Sequence, residues 1–130
     1  MTMKSKKLKL ILAVCIGLTL TTIATAAVYV LCPPSPPRAL QIDDITPTSC
    51  KLSFSPPADN GGLPVTGYIV EVKDARLDLS WESYDFVPTT ECAIRDREPG
   101  SLMKIRVKAK NAAGLSDPSD KIVIRFPDIN

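Results

Sequence analysis

The feature that most constrains the fold of this chain is a strict alternation of apolar and basic side chains toward its C-terminal end. Met103, Ile105, Val107 and Ala109 alternate with Lys104, Arg106, Lys108 and Lys110. Side chains two residues apart share one face of a β-strand, whereas an α-helix repeats about every 3.6 residues. The run therefore predicts a strand that is buried on one face and solvated on the other.

Shorter runs with the same period of two fill most of the chain from residue 38 onward. We expect strands at residues 39–43, 50–54, 68–72, 77–87, 92–94 and 122–126. Proline, glycine, asparagine and aspartate occupy the gaps, as turns require. No helical stripe follows residue 31, so the pattern predicts an all-β sandwich of two sheets. The inward-facing positions predict a core that includes Leu52, Phe54, Tyr68, Val70, Ile94, Ile105 and Val107.

The first 31 residues differ in composition from the rest. Residues 1–9 form a basic region with four lysines, and residues 10–31 carry no charge. Because a membrane-spanning helix needs about 20 apolar residues, this run predicts an N-terminal hydrophobic helix. It is interpreted either as an uncleaved signal anchor or as a signal peptide that is cleaved near Ala26. Ala24-Thr25-Ala26 has the small-x-small form of a cleavage site.

Both interpretations place the C-terminal part outside the cytoplasm, because lysines before an apolar segment stay on the cytoplasmic side. The chain would then be a single-pass membrane protein or a secreted one. Residues 32–37, CPPSPP, are predicted to form an extended polyproline stem, since proline fixes φ and has no N–H donor. Residues 38–127 would be the folded domain and residues 128–130 a short tail.

Several separated motifs resemble those of a fibronectin type III domain. They are PPSPPRAL from Pro33, PPADNGGLPVTGYIVEV from Pro56 and RVKAKNAAGLS from Arg106. The resemblance covers residues 33–126. It implies a seven-stranded sandwich of two sheets, of the kind found in cell-adhesion receptors and giant muscle proteins. The chain departs from the family at three positions, where Phe54 replaces a tryptophan, Arg97 a leucine and Met103 a tyrosine.

The composition argues against catalysis. The chain has no histidine, and its four cysteines include no Cys-x-x-Cys pair. Histidine-dependent nucleophiles and thiol-based zinc sites are therefore not expected. The carboxylates lack the spacing of a calcium loop, and Gly61-Gly62 opens no helix that could cradle a phosphate. We expect no enzyme activity, no cofactor and no metal. Beyond residue 31 the chain holds 12 basic and 14 acidic residues, so nucleic acid is not an expected partner.

The alternation points to one candidate surface. The basic residues Lys104, Arg106, Lys108 and Lys110 would lie on the outer face of one strand, with Lys121 and Arg125 on its neighbour and Glu71 as the one acid among them. Such a face could bind a sulfated polysaccharide or an acidic patch on a protein. The simpler interpretation is the ordinary solvated side of a sheet whose other face is buried.

Three functions are compatible with these features. The first is a non-catalytic protein–protein interaction or adhesion module, tethered to the membrane through residues 10–31 or secreted. The second is an extracellular module that binds a glycosaminoglycan through the basic face. The third is a cytosolic module of the muscle type. In the first and third, the partner is another protein that the sequence does not identify.

The resemblance also bears on the cysteines. It implies that Leu52 and Ile94 lie side by side on neighbouring antiparallel strands. Cys50 and Cys92 would then lie on opposite sides of that pair, roughly 13 Å apart. A disulfide tolerates a Cα separation of about 7 Å, so we expect two buried free thiols. Cys32 on the stem would be the exposed candidate for pairing between chains.

Overall fold

A computed structural model of the chain describes residues 30–77 and 80–129. The described residues form eight strands, which are β1 (Arg38–Asp43), β2 (Cys50–Ser55), β3 (Gly67–Asp74), β4 (Glu82–Val87), β5 (Glu91–Ile94), β6 (Leu102–Asn111), β7 (Gly114–Leu115) and β8 (Ile122–Arg125). The predicted hydrophobic helix at residues 10–31 lies, apart from its last two residues, outside this part of the chain. Within it, no helix is long and apolar enough to cross a membrane.

The strands pair into two antiparallel sheets, which gives the expected all-β sandwich. One sheet has the order β1-β2-β5, and the other has the order β4-β3-β6 with β7 and β8 both paired to β6. The expected number of seven strands is corrected to eight, because the last strand is broken into β7 and β8. Pro118 lies in this break. A proline there is compatible with the break, since it has no N–H to donate to a neighbouring strand.

Two serine side chains complete the hydrogen bonding of β6 at this break. The N–H of Val107 donates to Oγ of Ser119 at 3.0 Å, and the N–H of Ala109 donates to Oγ of Ser116 at 2.8 Å. The N–H groups of the same two serines donate back to the carbonyls of Val107 and Ala109. Both serines are buried. Their hydroxyls therefore satisfy main-chain groups of β6 that the broken strand would otherwise leave unpaired.

The core lies between the two sheets. All seven residues predicted for it are buried, and five of them are fully so, namely Leu52, Val70, Ile94, Ile105 and Val107. Phe54 and Tyr68 meet edge to face between the sheets, with ring centroids 4.8 Å apart. This arrangement is the one that aromatic rings favour. Phe126 directly follows β8 and is also fully buried.

The pairing of β2 with β5 differs from the expected register. Cys50 lies opposite Ile94, and Leu52 lies opposite Cys92. The prediction that Leu52 lies beside Ile94 is therefore wrong by two residues, and so is the separation worked out from it. Cys50 and Cys92 are diagonal neighbours, for which the separation is about 7–8 Å. Both thiols are buried and free.

Tyr84 joins the edges of the two sheets. Its hydroxyl accepts from the N–H of Arg95 at 2.9 Å and donates to the carbonyl of Ala93 at 3.4 Å. The guanidinium of Arg97 lies over the Tyr84 ring, 5.4 Å from its centroid, and its Nε donates to the carbonyl of Arg95 at 2.9 Å. The departure from the family at Arg97 is thus accommodated at a sheet edge. Met103, the other departure in this region, is buried in the core.

The proline-rich segment at residues 32–37 packs against the domain. The N–H of Cys32 donates to the carbonyl of Gly61 at 3.1 Å, and the N–H of Ser35 donates to the carbonyl of Asp59 at 2.8 Å. Cys32, which was expected to be exposed, is 7% exposed and is not one of the free thiols. That expectation is wrong because the loop at residues 59–62 covers the segment. Gly61 has a φ of 76°, and a side chain there would collide with the carbonyl oxygen of Cys32.

Candidate interaction surface

The loops at one end of the sandwich, residues 59–62 and 111–114, are held by internal contacts. Nδ2 of Asn111 donates to the carbonyls of Cys32 and Asn60, each at 2.8 Å. Oδ1 of Asn111 accepts from the N–H groups of Ala113 at 2.8 Å and Gly114 at 3.1 Å. Asn111 is 1% exposed. Its polar groups, and the main-chain groups that it binds, are therefore not available to a ligand at this end.

The broader surface is the outer face of the five-stranded sheet, called here the outer face. Side chains alternate between the two faces of a strand, so the register places a defined set of residues on it. Glu71 lies opposite Arg106, and Lys73 lies opposite Lys104. Lys104 also lies opposite Val123 on the other side of β6. Further members include Ile69 on β3, Phe86 on β4, Lys108 and Lys110 on β6, and Arg125 on β8.

Glu71 is the electrostatic centre of the outer face. Its Oε1 accepts from Nε of Arg106 at 2.7 Å, and its Oε2 accepts from Nζ of Lys108 at 3.3 Å. All three side chains are mostly buried, with 14% of the Glu71 side chain and 23% of each cation exposed. A largely buried, charge-assisted contact of this kind is stronger than an exposed ion pair. Arg106 and Lys108 therefore share one carboxylate within the domain, and the three groups together keep one net positive charge.

Two aromatic rings support the cations on either side of this centre. The Arg106 guanidinium lies 4.3 Å from the centroid of the Trp81 ring, and Nζ of Lys73 lies 5.3 Å from it. Nζ of Lys110 lies 5.9 Å from the centroid of the Phe86 ring. Cations at such distances are attracted by the negative face of an aromatic ring. Trp81 and Phe86 thus hold cations of the outer face in place.

Other cations of this surface have no carboxylate partner. Among the described residues, no carboxylate oxygen lies within 4.0 Å of Lys73, Lys104, Lys110 or Lys121. Arg125 contacts Asp128 at 3.9 Å, and both of these side chains are largely exposed. Val123 lies among these cations and is 48% exposed. One side of the outer face thus combines unpaired positive charge with accessible apolar surface.

The structure places all six predicted basic residues on or beside this surface. Four of them lie along β6 at every second position, Arg125 ends β8, and Lys121 directly precedes it. The sequence reasoning missed Lys73 and the support from Trp81. Lys73 follows Glu71 by two residues, so the alternation alone could have included it. Trp81 lies outside the strands, and no local pattern connects it to Arg106.

The described residues contain no further constellation that suggests chemistry. No group of three or more cysteine, aspartate or glutamate side chains among them could hold a metal ion. Burial raises the pKa of Cys50 to about 11, and the charge of Arg97 partly offsets this effect. Burial also raises the pKa of Cys92 to about 11. Since the thiolate is the nucleophilic form, neither cysteine is activated for reaction.

The sheet order, the buried strand faces and the loop motifs define a two-sheet β-sandwich domain. Comparison with known families identifies which family of such domains it belongs to. A sequence model of the fibronectin type III domain matches residues 35–125. The chain therefore belongs to the fibronectin type III family. Modules of this family are non-catalytic binding domains, and the matched proteins include adhesion receptors and muscle proteins.

Individual relatives agree with this assignment. The chain is 37% identical over 87 residues to Roundabout homolog 2 of Homo sapiens. This matched stretch covers 66% of this chain and 6% of that protein. It is 33% identical over 84 residues to Myosin-binding protein H of Gallus gallus, and this matched stretch covers 65% of this chain and 16% of that protein. A crystal structure of titin domains matches with a TM-score of 0.70 and 28% identity over 74% of this chain and 33% of the other. The chain spans only a small part of these relatives.

Proposed function

We propose that this domain is a protein-interaction module that binds its partner through the outer face. The single observation that carries the proposal is the combination found around Val123, where cations without carboxylate partners border an exposed apolar side chain. The opposite situation holds at the loops around Asn111, whose polar groups are bonded internally. Interfaces commonly combine apolar contact with complementary charge, so this side of the domain fits an acidic protein surface.

The proposed location is outside the cytoplasm. The domain would be tethered through residues 10–31, or secreted after cleavage near Ala26, and the support is the four lysines that precede the uncharged run. Carbonate extraction and intact mass of the tagged full chain test this. A membrane-bound chain of full mass supports the anchor, and a soluble product that begins near Ala27 supports secretion. Recovery of the full-length chain in the cytosol would refute both and favour the muscle-type module.

Partner binding is tested by photo-cross-linking on the outer face. A photoreactive residue at Val123 should capture a partner, whereas the same residue at Ser53, on the other sheet, should not. Ser53 is a suitable control because it is a partly exposed position on β2. Capture only from Ser53, or equal capture from both positions, would show that the outer face is not the binding surface.

A sulfated polysaccharide is the second candidate ligand, and the unpaired lysines favour it. Counterion release would make such binding fall steeply with salt. Replacing Lys104, Lys110 and Lys121, three of these unpaired lysines, with serine should abolish retention of the chain on immobilised heparin without unfolding it. Unchanged retention would refute a polysaccharide site on this face.

A further inference from the structure

One edge of the five-stranded sheet is free, and its main chain faces outward at two defined residues. Within the described chain, β8 pairs only with β6. The N–H of Phe126 donates to the carbonyl of Ser101, which lies in the same ladder. Main-chain groups of alternate residues point to opposite sides of a strand. Ile122 and Ile124 therefore bond toward β6, and the N–H and C=O groups of Val123 and Arg125 point to the free edge.

A groove lies beside the residues that lead into this edge, and Ile122 is its last lining residue on β8. It has a volume of about 580 Å³ and lies between residues 35–40, at the start of β1, and residues 118–122, which lead into β8. Leu40 and Ile122 supply part of its apolar wall. An added strand presents alternate side chains to opposite faces, so one set would enter this groove and the other would lie on the outer face.

The charged side chains beside the edge indicate what kind of strand could pair with it. Lys121 and Arg125 flank Val123 at two-residue spacing, and Lys104 lies opposite Val123 on β6. Two carboxylates lie near them within the described residues. Asp128 is 3.9 Å from Arg125, and Asp120 precedes Lys121 and lines the groove but forms no ion pair with it. A strand that pairs with β8 would therefore meet three cations on the outer face, and carboxylates at every second position would match them.

Two other occupants fit poorly. A second copy of β8 paired antiparallel about Val123 would set Lys121 opposite the Arg125 of that copy, and like charges directly opposite each other are unfavourable. The first 29 residues of the chain contain lysines and no acid, so they lack the complementary charge.

We infer that β8 is a docking edge for an extended acidic segment of a partner protein. The segment adds a strand beside Val123 and Arg125, sets its carboxylates against Lys104, Lys121 and Arg125, and places its alternate apolar side chains in the groove. This inference rests on the proposed protein-binding function and specifies its partner and its mode of binding.

The test uses the full chain in a non-ionic detergent and a short synthetic peptide of alternating glutamate and valine as the probe. Fluorescence anisotropy measures affinity, and amide hydrogen exchange locates the contact. The peptide should slow exchange at Val123 and Arg125 more than at exposed amides elsewhere. Replacing Lys121 and Arg125 with serine should weaken binding about tenfold, the sum expected for two exposed ion pairs. The matched variant with Lys51 and Arg95 replaced by serine removes two cations from the other sheet and should bind normally.

Val123→Pro separates strand addition from simple charge attraction. It removes the outward N–H of an edge strand, where proline is tolerated, so the domain should stay folded while peptide affinity falls. Val123→Thr keeps the N–H and should retain binding, which controls for loss of the side chain. If the peptide no longer slows amide exchange at Arg125 in Val123→Pro, the inference is supported. Binding that is unaffected by Val123→Pro, or heparin binding with no peptide binding, overturns it. A partner captured at Val123 whose affinity ignores Val123→Pro would overturn strand addition and leave the protein-binding function standing.

Discussion

Asn111→Ala removes a buried side chain that ties the proline-rich segment at residues 32–37 to both loops at one end of the sandwich. Alanine loses the two donations to Cys32 and Asn60 and the two acceptances from Ala113 and Gly114. Each hydrogen bond contributes about 1 kcal/mol net. Four of them therefore give about 4 kcal/mol, and we expect about 3 kcal/mol because water can reach partners that are only partly buried.

Urea denaturation followed by Trp81 fluorescence measures this loss. Trp81 is the only tryptophan and lies against Arg106 in the folded domain. Domains of this size have a free energy of unfolding of about 5–15 kcal/mol, so the variant should fold but with a lower midpoint. Asn111→Asp keeps both acceptor contacts but sets a buried carboxylate oxygen against the carbonyl oxygens of Cys32 and Asn60, so it should cost at least as much as Asn111→Ala.

Asn60→Ala is the matched control. The Asn60 side chain is exposed and makes one contact, in which Oδ1 accepts from the N–H of Gly62 at 2.8 Å. Its loss should cost about 1 kcal/mol or less. If Asn111→Ala destabilises the chain no more than Asn60→Ala does, the buried amide does not hold this end of the domain together.

Three further outcomes are expected. Glu71→Gln removes the acid between Arg106 and Lys108, so the free energy of unfolding should fall by about 1–2 kcal/mol. The salt concentration needed to elute the chain from heparin should rise, because two cations become available. An unchanged elution would contradict the central role of Glu71. Tyr84→Phe removes the hydroxyl that joins the two sheet edges and should cost about 1–2 kcal/mol in urea denaturation, whereas no loss would show that the edges are held otherwise. Burial raises the pKa of Cys50 and Cys92 to about 11. At pH 8 the two thiols of the folded chain should therefore react with a disulfide reagent at least about tenfold more slowly than the same thiols in urea. Equal rates in the two states would contradict burial.

The alternation of side chains could predict which residues face the core, but it could not predict how the strands pair. A slip of two residues keeps every side chain on its face, because the period of a strand is two. Leu52 and Ile94 are therefore buried as expected, although each lies beside a cysteine and not beside the other. The break between β7 and β8 was missed because Gly114–Leu115 is too short to show any period.

For the candidate surface, too, the sequence could predict which side chains share a face but not which of them contact each other. The alternation places Lys104 and Arg106 on one face, but it says nothing about which cations contact a carboxylate. That depends on the register of β3 with β6, which brings Glu71 opposite Arg106, and on rotamers that let the same carboxylate reach Lys108. The contact of Asn111 with Cys32 spans 79 positions in the sequence, so composition could suggest only an extended segment there.

The two ends of the domain lie at opposite poles, and β6 sets the distance between them. Asn111 at one end of β6 holds Cys32, and Ser101, next to the other end, receives the N–H of Phe126. Ten residues of strand separate these points, which corresponds to about 33 Å. If the chain were pulled from both sides, the load would run lengthwise along the β6–β8 and β1–β2 ladders, whose hydrogen bonds would have to shear together. Residues 32–37 are held to their end of the domain by local hydrogen bonds with Asn111 and with the loop at residues 59–62, so this segment would peel away before the sandwich itself gave way.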